Sequence, residues 1–247
     1  MASMVEENFD VYEGLSWSDR ARYGVYGVAL DCGDTIGKKN GFIDAVHKIS
    51  LSRALGELHR RYERALDFGC GGARLIPTLS AFAAQTYGVD RTADCIEMAR
   101  AAHVVPEDRL VLWRDGPLPF ADGFFDLFLS AYVLLRTAVL DAAMPELARV
   151  TAPGGNGILI EQLDNGRGLT IERYGETLRR SGFTVLRHYP IRRSAGSRWL
   201  RLASSRVCPA SLARLAAQGE IASARRSHFT ASTRGYYDSL FVLQRNV

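Results

Sequence analysis

The run Leu66-Asp67-Phe68-Gly69-Cys70-Gly71-Gly72-Ala73-Arg74 constrains this chain more than any other stretch. Three glycines within four residues (Gly69, Gly71 and Gly72) make a backbone too free for the interior of a strand or helix. The residues before the run, "ALDF", read as the end of a strand, and "RLIPTLSAFAAQ" after it reads as an amphipathic helix over 74–85. A strand, a glycine turn and a helix together bring backbone N–H groups close to a ligand at the start of the helix.

The same alternation continues downstream. "TYGVD" predicts a second strand ending on Asp90, "ADCIEMARAAHVV" a helix, "RLVLW" a third strand and "FFDLFLSAY" a fourth. "VLDAAMPELARV" is helical, and "APGGNGILIEQL" is a glycine-marked stop followed by a fifth strand. "LTIERYGETLRRSGF" predicts a helix closed by Gly182, while "TVLRHYPI" and "YYDSLFVLQRN" predict two further strands. Strands that alternate with helices imply a mostly parallel sheet covered on both faces. At 247 residues one domain is the expectation, divided into a helical amino-terminal extension (1–64), core sheet (65–190 and 236–247) and an insertion (191–235). Within the extension, "FIDAVHKISLSRALGELHRRYER" predicts a long helix over 42–64, and within the insertion "PASLARLAAQGEIASARR" predicts another.

The acids at the strand ends indicate the ligand. Dinucleotide enzymes carry GxGxxG after the first strand. Here Asp67 precedes the glycines and Arg74 stands where that fingerprint would have its last one. A carboxylate there would repel a pyrophosphate and would suit a ligand with an ammonium group and no phosphate. S-adenosylmethionine is such a ligand. Asp90, closing the second strand, can accept both hydroxyls of a ribose. Asp115, after the third strand, can accept from an adenine amino group while the Gly116 amide donates to a ring nitrogen. All three acids belong to the carboxyl edge of the sheet, where open α/β folds bind ligands.

Four runs, "LDFGCGGARL", "YGVDRTADCIEMAR", "LPFADGFFDLFLSAYVL" and "ELARVTAPGGNGILIE", make residues 66–161 resemble the class I S-adenosylmethionine-dependent methyltransferases, in particular the methyltransferase type 11 group. The resemblance implies a Rossmann-like, seven-stranded sheet whose last strand is antiparallel. It also implies that Asp67, Gly69, Cys70 and Gly71 line the methionine part of the cofactor, with Asp90 and Arg91 at the ribose and Asp115 and Gly116 at the adenine. Ser130 and Tyr132 fall where the family meets the methyl-donating end, and relatives often carry a histidine where this chain has Leu135 or Arg136.

A general base is less well marked. Tyr132, Glu161 and His188 are the candidates at or near the correct edge of the sheet, and His47 in the amino-terminal helix is a further group able to reach a substrate. Methyl transfer from a sulfonium needs mainly alignment, so a base is optional. Cys70 reads as a small filler whose backbone matters, and Trp17, Tyr23 and Tyr26 read either as an aromatic lid or as packing. The four cysteines lack zinc-type spacing and read as reduced thiols, with no metal expected.

Charge bears on the substrate. Residues 165–247 carry a net charge of +11 and residues 1–164 one of −7. The basic end suits an anionic partner, or else a solvated arginine-rich surface. Trp199, Leu200, Leu202, Leu212 and Leu215 interleave with its arginines and favour a lid over a small-molecule pocket, with a nucleic-acid partner disfavoured. The start of the chain carries acids where a signal peptide carries bases, and no apolar run is long enough to span a bilayer, so a cytoplasmic protein is expected. The reading is a methyltransferase acting on an oxygen or nitrogen of a small, possibly anionic molecule. Its rivals are the same chemistry on RNA or on a phosphorylated or lipid-linked glycan, and a non-catalytic protein that binds the cofactor.

Overall fold

The computed structural model describes residues 15–134, 137–163, 170–193, 197–205, 208–226 and 237–247. Leu135, Arg136 and the end of the expected insertion, 227–235, lie outside them.

Strand β1 (Tyr62–Phe68) leads into the glycine turn, and its last four residues are buried, as suits a strand covered on both faces. Strands β2 (Ala83–Asp90) and β3 (Leu110–Leu112) lie parallel to it on one side. Strands β4 (Phe125–Ala131) and β5 (Thr151–Leu163) lie parallel on the other. Strand β7 (Tyr237–Arg245) then inserts antiparallel between β5 and β6 (Phe183–Arg193). The resulting order is β3-β2-β1-β4-β5-β7-β6, the expected seven-stranded sheet with an antiparallel last strand.

Nine α-helices accompany the sheet among the described residues. Helices α1 (Trp17–Ala21), α2 (Gly24–Ala29) and α3 (Lys38–Gly56) precede it. Helices α4 (Ile76–Ser80), α5 (Ala93–Ala101), α6 (Thr137–Val150) and α7 (Ile171–Arg180) connect its strands. Helices α8 (Arg198–Ala203) and α9 (Ala210–Arg226) lie between β6 and β7. One face of the sheet packs Leu127, Leu129, Ile158, Ile160 and Leu240 against Phe42, Val46 and Leu51 of α3 and Ala217 and Ile221 of α9. The other packs Phe128, Leu159 and Phe241 against Leu140, Met144 and Leu147 of α6 and Tyr174 and Leu178 of α7.

Two helices are shorter than the sequence predicts. The expected helix over 74–85 is only α4, with Pro77 in its first turn, and Ala83–Gln85 already belong to β2. The expected helix over 42–64 ends at Gly56, and Tyr62–Arg64 open β1. Both departures have one cause. Tyr62 pairs with Ala83 and Arg64 with Gln85, so inter-strand pairing overrides the helical preference of both segments at once. On the other side of β1 the Asp126 carboxylate of β4 accepts the Glu63 and Arg64 amides at 2.9 Å each.

Candidate cofactor and acceptor site

The glycine turn is built by crowding as much as by backbone freedom. Gly69 has φ 74°, and its amide and that of Cys70 both donate to the Val89 carbonyl. A Cβ on Gly69 would lie 2.3 Å from Val133 Cγ2, and one on Gly72 would lie 2.6 Å from Met98 Sδ and 2.9 Å from Val25 Cγ2. The turn is therefore gripped between the chain after β4, helix α5 and helix α2. Thus α2 covers the turn, with Tyr26 reaching Asp44, while Tyr23 stays 59% exposed and Trp17 packs beside Val28 and Cys95.

Asp90 closes the turn from below. Its Oδ2 accepts the Gly71 amide and its Oδ1 the Thr92 amide, each at 2.9 Å. Burial raises its pKa, and the amides of Thr92 and Gly71 oppose that shift. The Thr92 hydroxyl and the Arg91 amide also favour its ionised form.

Asp67 is different. It is 3% exposed at the end of β1, and burial pushes its carboxyl up to about 7, with Arg74 favouring the charged form and Asp90 disfavouring it. A desolvated carboxyl in that condition favours a cationic ligand, which would restore the charged form. The donor set thus fits the ammonium end of S-adenosylmethionine and not a phosphate. Cys70 is buried, and burial together with Asp67 and Asp90 raises its thiol well above the ordinary range, so it stays protonated. Asp115 and Gly116 lie on an exposed turn after β3, where Trp113 Nε1 donates to the Gly116 carbonyl at 3.2 Å. Arg91 is half-buried directly after Asp90. Ser130 is fully buried, with no hydrogen-bond partner for its Oγ.

Beyond β4 the backbone turns sharply: Tyr132 has φ 62°, a left-handed conformation costly for a bulky residue. Glu161 holds that turn. Its Oε1 accepts the Leu134 amide at 3.0 Å, and the Val133 and Tyr132 amides also favour its ionised form. Burial still drives its carboxyl well above the ordinary range. The left-handed turn delivers Tyr132 to the α3 side of the sheet, edge-on to His47 with ring centroids 5.0 Å apart. The Tyr132 hydroxyl lies 3.5 Å from Arg192 Nη2. Arg192 in turn holds Asp238 through Nε and Nη2, at 2.5 and 3.1 Å. Burial and Asp238 move the Tyr132 pKa well above its ordinary value, against the opposing charge of Arg192. For Asp238 burial acts upward, but Arg192 and His47 outweigh it and hold the carboxyl below the usual carboxylate range.

His47 is fully buried, and burial takes its pKa down to about 4, so the ring is neutral. Its Nδ1 lies 2.9 Å from Arg74 Nη2, which can only donate, and its Nε2 lies 3.5 Å from Asp238 Oδ2. Arg74 Nη1 also donates to Asp44 Oδ1 at 3.1 Å, and Asp44 pairs with Lys48 at 2.7 Å. The structure therefore gathers Tyr132 with His47, Arg74, Asp44, Arg192 and Asp238. It does not bring His188 into that group. His188 stacks on Phe241 at 4.2 Å in the opposite core, where burial lowers its pKa to about 4. Asp44, Arg74, Arg192 and Asp238 are not marked as functional by the sequence, because the contacts that join them to one another and to His47 span 27 to 191 residues.

No group of three or more His, Cys, Asp or Glu among the described residues could hold a metal ion, and no described helix is long and apolar enough to cross a membrane.

Residues 66–159 match the sequence family described as a methyltransferase domain. A demethylmenaquinone methyltransferase of Tropheryma whipplei is 29% identical over 101 residues, covering 40% of this chain and 41% of that protein. A malonyl-[acyl-carrier protein] O-methyltransferase of Erwinia billingiae is 31% identical over 114 residues, covering 42% and 43%. The chain thus spans about two fifths of the length of the curated relatives it matches. Among solved structures, geranyl diphosphate C-methyltransferase from Streptomyces coelicolor, in complex with Mg2+, geranyl diphosphate and S-adenosyl-L-homocysteine, superposes with a TM-score of 0.54 at 13% identity, over 81% of this chain and 79% of that one. The match over residues 66–159 and the seven-stranded order together make the core of this chain similar to the class I S-adenosylmethionine-dependent methyltransferases.

Proposed function

We propose that the protein transfers a methyl group from S-adenosylmethionine to an oxygen or nitrogen of a small molecule. The observation that carries the cofactor half of this reading is Asp67, a buried carboxyl whose charged form awaits a cationic partner beside the glycine turn. Asp90 is the ribose contact, with Arg91 beside it, and Asp115 and Gly116 are the adenine contacts. Gly69, Cys70 and Gly71 supply backbone at the methionine end, with Ser130 behind them. When bound, the cofactor supplies an electrophilic methyl on a sulfonium. A bond then forms from the acceptor to carbon as the carbon–sulfur bond breaks, and the acceptor's proton leaves to solvent or to a nearby base.

Tyr132 is the proposed contact for the acceptor, because it alone in the buried polar group is only partly covered. Glu161 orders the turn that carries it and lies on the other face, so its role is positioning. The His47 ring accepts from Arg74 at Nδ1 and is a poor base. Alignment, and not proton abstraction, is the main contribution of this site. A small molecule is favoured as substrate because α8 and α9 pack on α3 and β6, covering the sheet face next to Tyr132. The relative named as a malonyl-[acyl-carrier protein] O-methyltransferase is compatible with an oxygen acceptor.

Isothermal calorimetry tests the cofactor reading directly. S-adenosylmethionine and S-adenosylhomocysteine should both give saturable heats and NAD none. Binding of NAD with no response to either sulfur ligand overturns it.

A further inference from the structure

The glycine turn and the acceptor side are joined by an unbroken run of buried polar side chains. Arg74 directly follows the turn and is 8% exposed. It is the positive charge acting on Asp67. Its two terminal nitrogens are committed elsewhere, Nη1 to Asp44 and Nη2 to His47 Nδ1. Because Nδ1 accepts, His47 carries its proton on Nε2, facing Asp238 Oδ2. Asp238 fixes Arg192 by both carboxylate oxygens, and Arg192 Nη2 reaches the Tyr132 hydroxyl. Arg74 acts on Asp67 through charge, and from Arg74 onward every link is a hydrogen-bond contact of 3.5 Å or less, while the His47 ring also abuts Tyr132 at an interplanar angle of 87°.

Stability alone gives little reason for such a chain. Buried ion pairs are often no better than well-packed apolar residues of the same volume. What sets this one apart is that its first member is shared with Asp67. A cationic group arriving at Asp67 satisfies the carboxylate that Arg74 otherwise serves, and it repels the guanidinium. Arg74 then commits more fully to Asp44 and His47, which strengthens the hold of His47 on Asp238 and, through Arg192, on Tyr132.

We propose that Arg74 is a positioning residue that ties occupancy of the Asp67 site to the placement of the Tyr132 hydroxyl, acting through His47, Asp238 and Arg192. This rests on the reading of Asp67 as the contact for the ammonium end of the cofactor. By linkage the effect is reciprocal, so disturbing the relay at His47 also changes cofactor affinity.

The test is a titration of the full chain, labelled with 15N in its five histidines, with S-adenosylhomocysteine, which keeps the ammonium group. His47→Gln identifies the His47 ring signals by their loss, and calorimetry on the same samples reads binding. The expected result is that the wild-type His47 ring nitrogens shift as the ligand saturates. In Arg74→Lys, which keeps the charge but cannot fork between Asp44 and His47, the ligand should bind while the His47 signals shift much less. Binding in the wild type with unmoved His47 signals overturns the relay and leaves the cofactor reading intact. An equal shift in Arg74→Lys and wild type overturns it as well, since the perturbation then reaches His47 by another route. Absence of any binding to the wild type overturns the cofactor reading and the relay with it. The wild-type titration is decisive by itself should Arg74→Lys fold poorly.

Discussion

At the scale of single residues, Asp67 has opposite effects on stability and on binding. Its folded pKa of about 7 stands above the ordinary carboxyl value of 3.8, so between those limits the folded protein holds a proton that the unfolded chain releases. Stability therefore declines as pH rises through that window and levels off above it. Asp67→Asn should make the ligand-free protein more stable at pH 8, by about 1–3 kcal/mol, because no buried charge remains. The same substitution should weaken S-adenosylhomocysteine binding by about 1.5–3 kcal/mol, the scale of a hydrogen bond to a charged group. Wild-type affinity should fall below pH 7 as Asp67 takes up its proton, while the Asn variant stays flat there. Denaturant melts and calorimetry at pH 5.5 and 8 check both halves, and a variant that loses stability at pH 8 without losing affinity contradicts the assignment. Asp67 and Asp90 could be found in the sequence because a glycine turn and a strand end mark them locally. Of the Tyr132 group, Tyr132 and His47 are candidates from the sequence, whereas Asp44, Arg74, Arg192 and Asp238 are not. Asn40, Asp44, His47 and Ser50 recur at helical spacing along α3, and all four are buried. The partners of Asp44 and His47 on Arg74 and β7 become visible only in three dimensions.

At the scale of elements, the arrangement that matters is the cover formed by α3, α8 and α9. Glu220 on α9 is buried and accepts both the Arg193 amide, at 2.7 Å, and the Ser197 hydroxyl, which fixes the chain entering α8. Ser197 also caps α8 by accepting the Leu200 amide at 3.0 Å. Between the two helices sits Trp199 against Gly219. A Cβ on Gly219 would lie 2.7 Å from Trp199 Cζ2. A glycine within a helix costs about 1 kcal/mol relative to alanine, so its presence in α9 is explained by this contact. Gly219→Ala should gain that propensity and lose more through overpacking, on the order of 1–3 kcal/mol. The expected readings are a lower melting temperature and a red-shifted Trp199 emission, with S-adenosylhomocysteine affinity unchanged because the glycine turn is not touched. A melting temperature at or above that of the wild type would show that Trp199 has room to move. The α9 helix itself was legible in the sequence, as was the alternation of strands and helices in the core. The ends of α3 and α4 were not, because alanine, leucine and arginine favour a helix locally, and only pairing between β1 and β2 draws their flanks into the sheet.

At the scale of the whole molecule, the charge imbalance between the two parts of the chain is large in the sequence and smaller in effect. The carboxy-terminal third carries a net +11, yet many of its arginines are already engaged. Arg192 is buried with Asp238, Arg187 pairs with Glu57 at 2.6 Å, and Arg245 donates to the Ala148 and Gly182 carbonyls. Arg225 lies 4.0 Å over the Tyr189 ring and Arg198 5.2 Å over Trp199. Meanwhile Ala203, Ala216, Ala217 and Ile221 anchor the same segment in the core beside α3. A surface evolved to track a polyanion would present its arginines to phosphates, and each phosphate neutralised would add to the salt dependence of binding. A cover over a small-molecule pocket has no such requirement. In a filter-binding series with bulk transfer RNA, retention should therefore be weak at about 0.15 M salt, where the Debye length is about 8 Å and scattered surface charges no longer cooperate. Affinity for S-adenosylhomocysteine should stay nearly constant across the same series, because its proposed contacts, Asp67 and Asp90, lie in a buried turn. Tight transfer RNA binding with a log–log salt slope of several units would reverse the choice, making the basic third a nucleic-acid surface and the polymer the substrate to pursue.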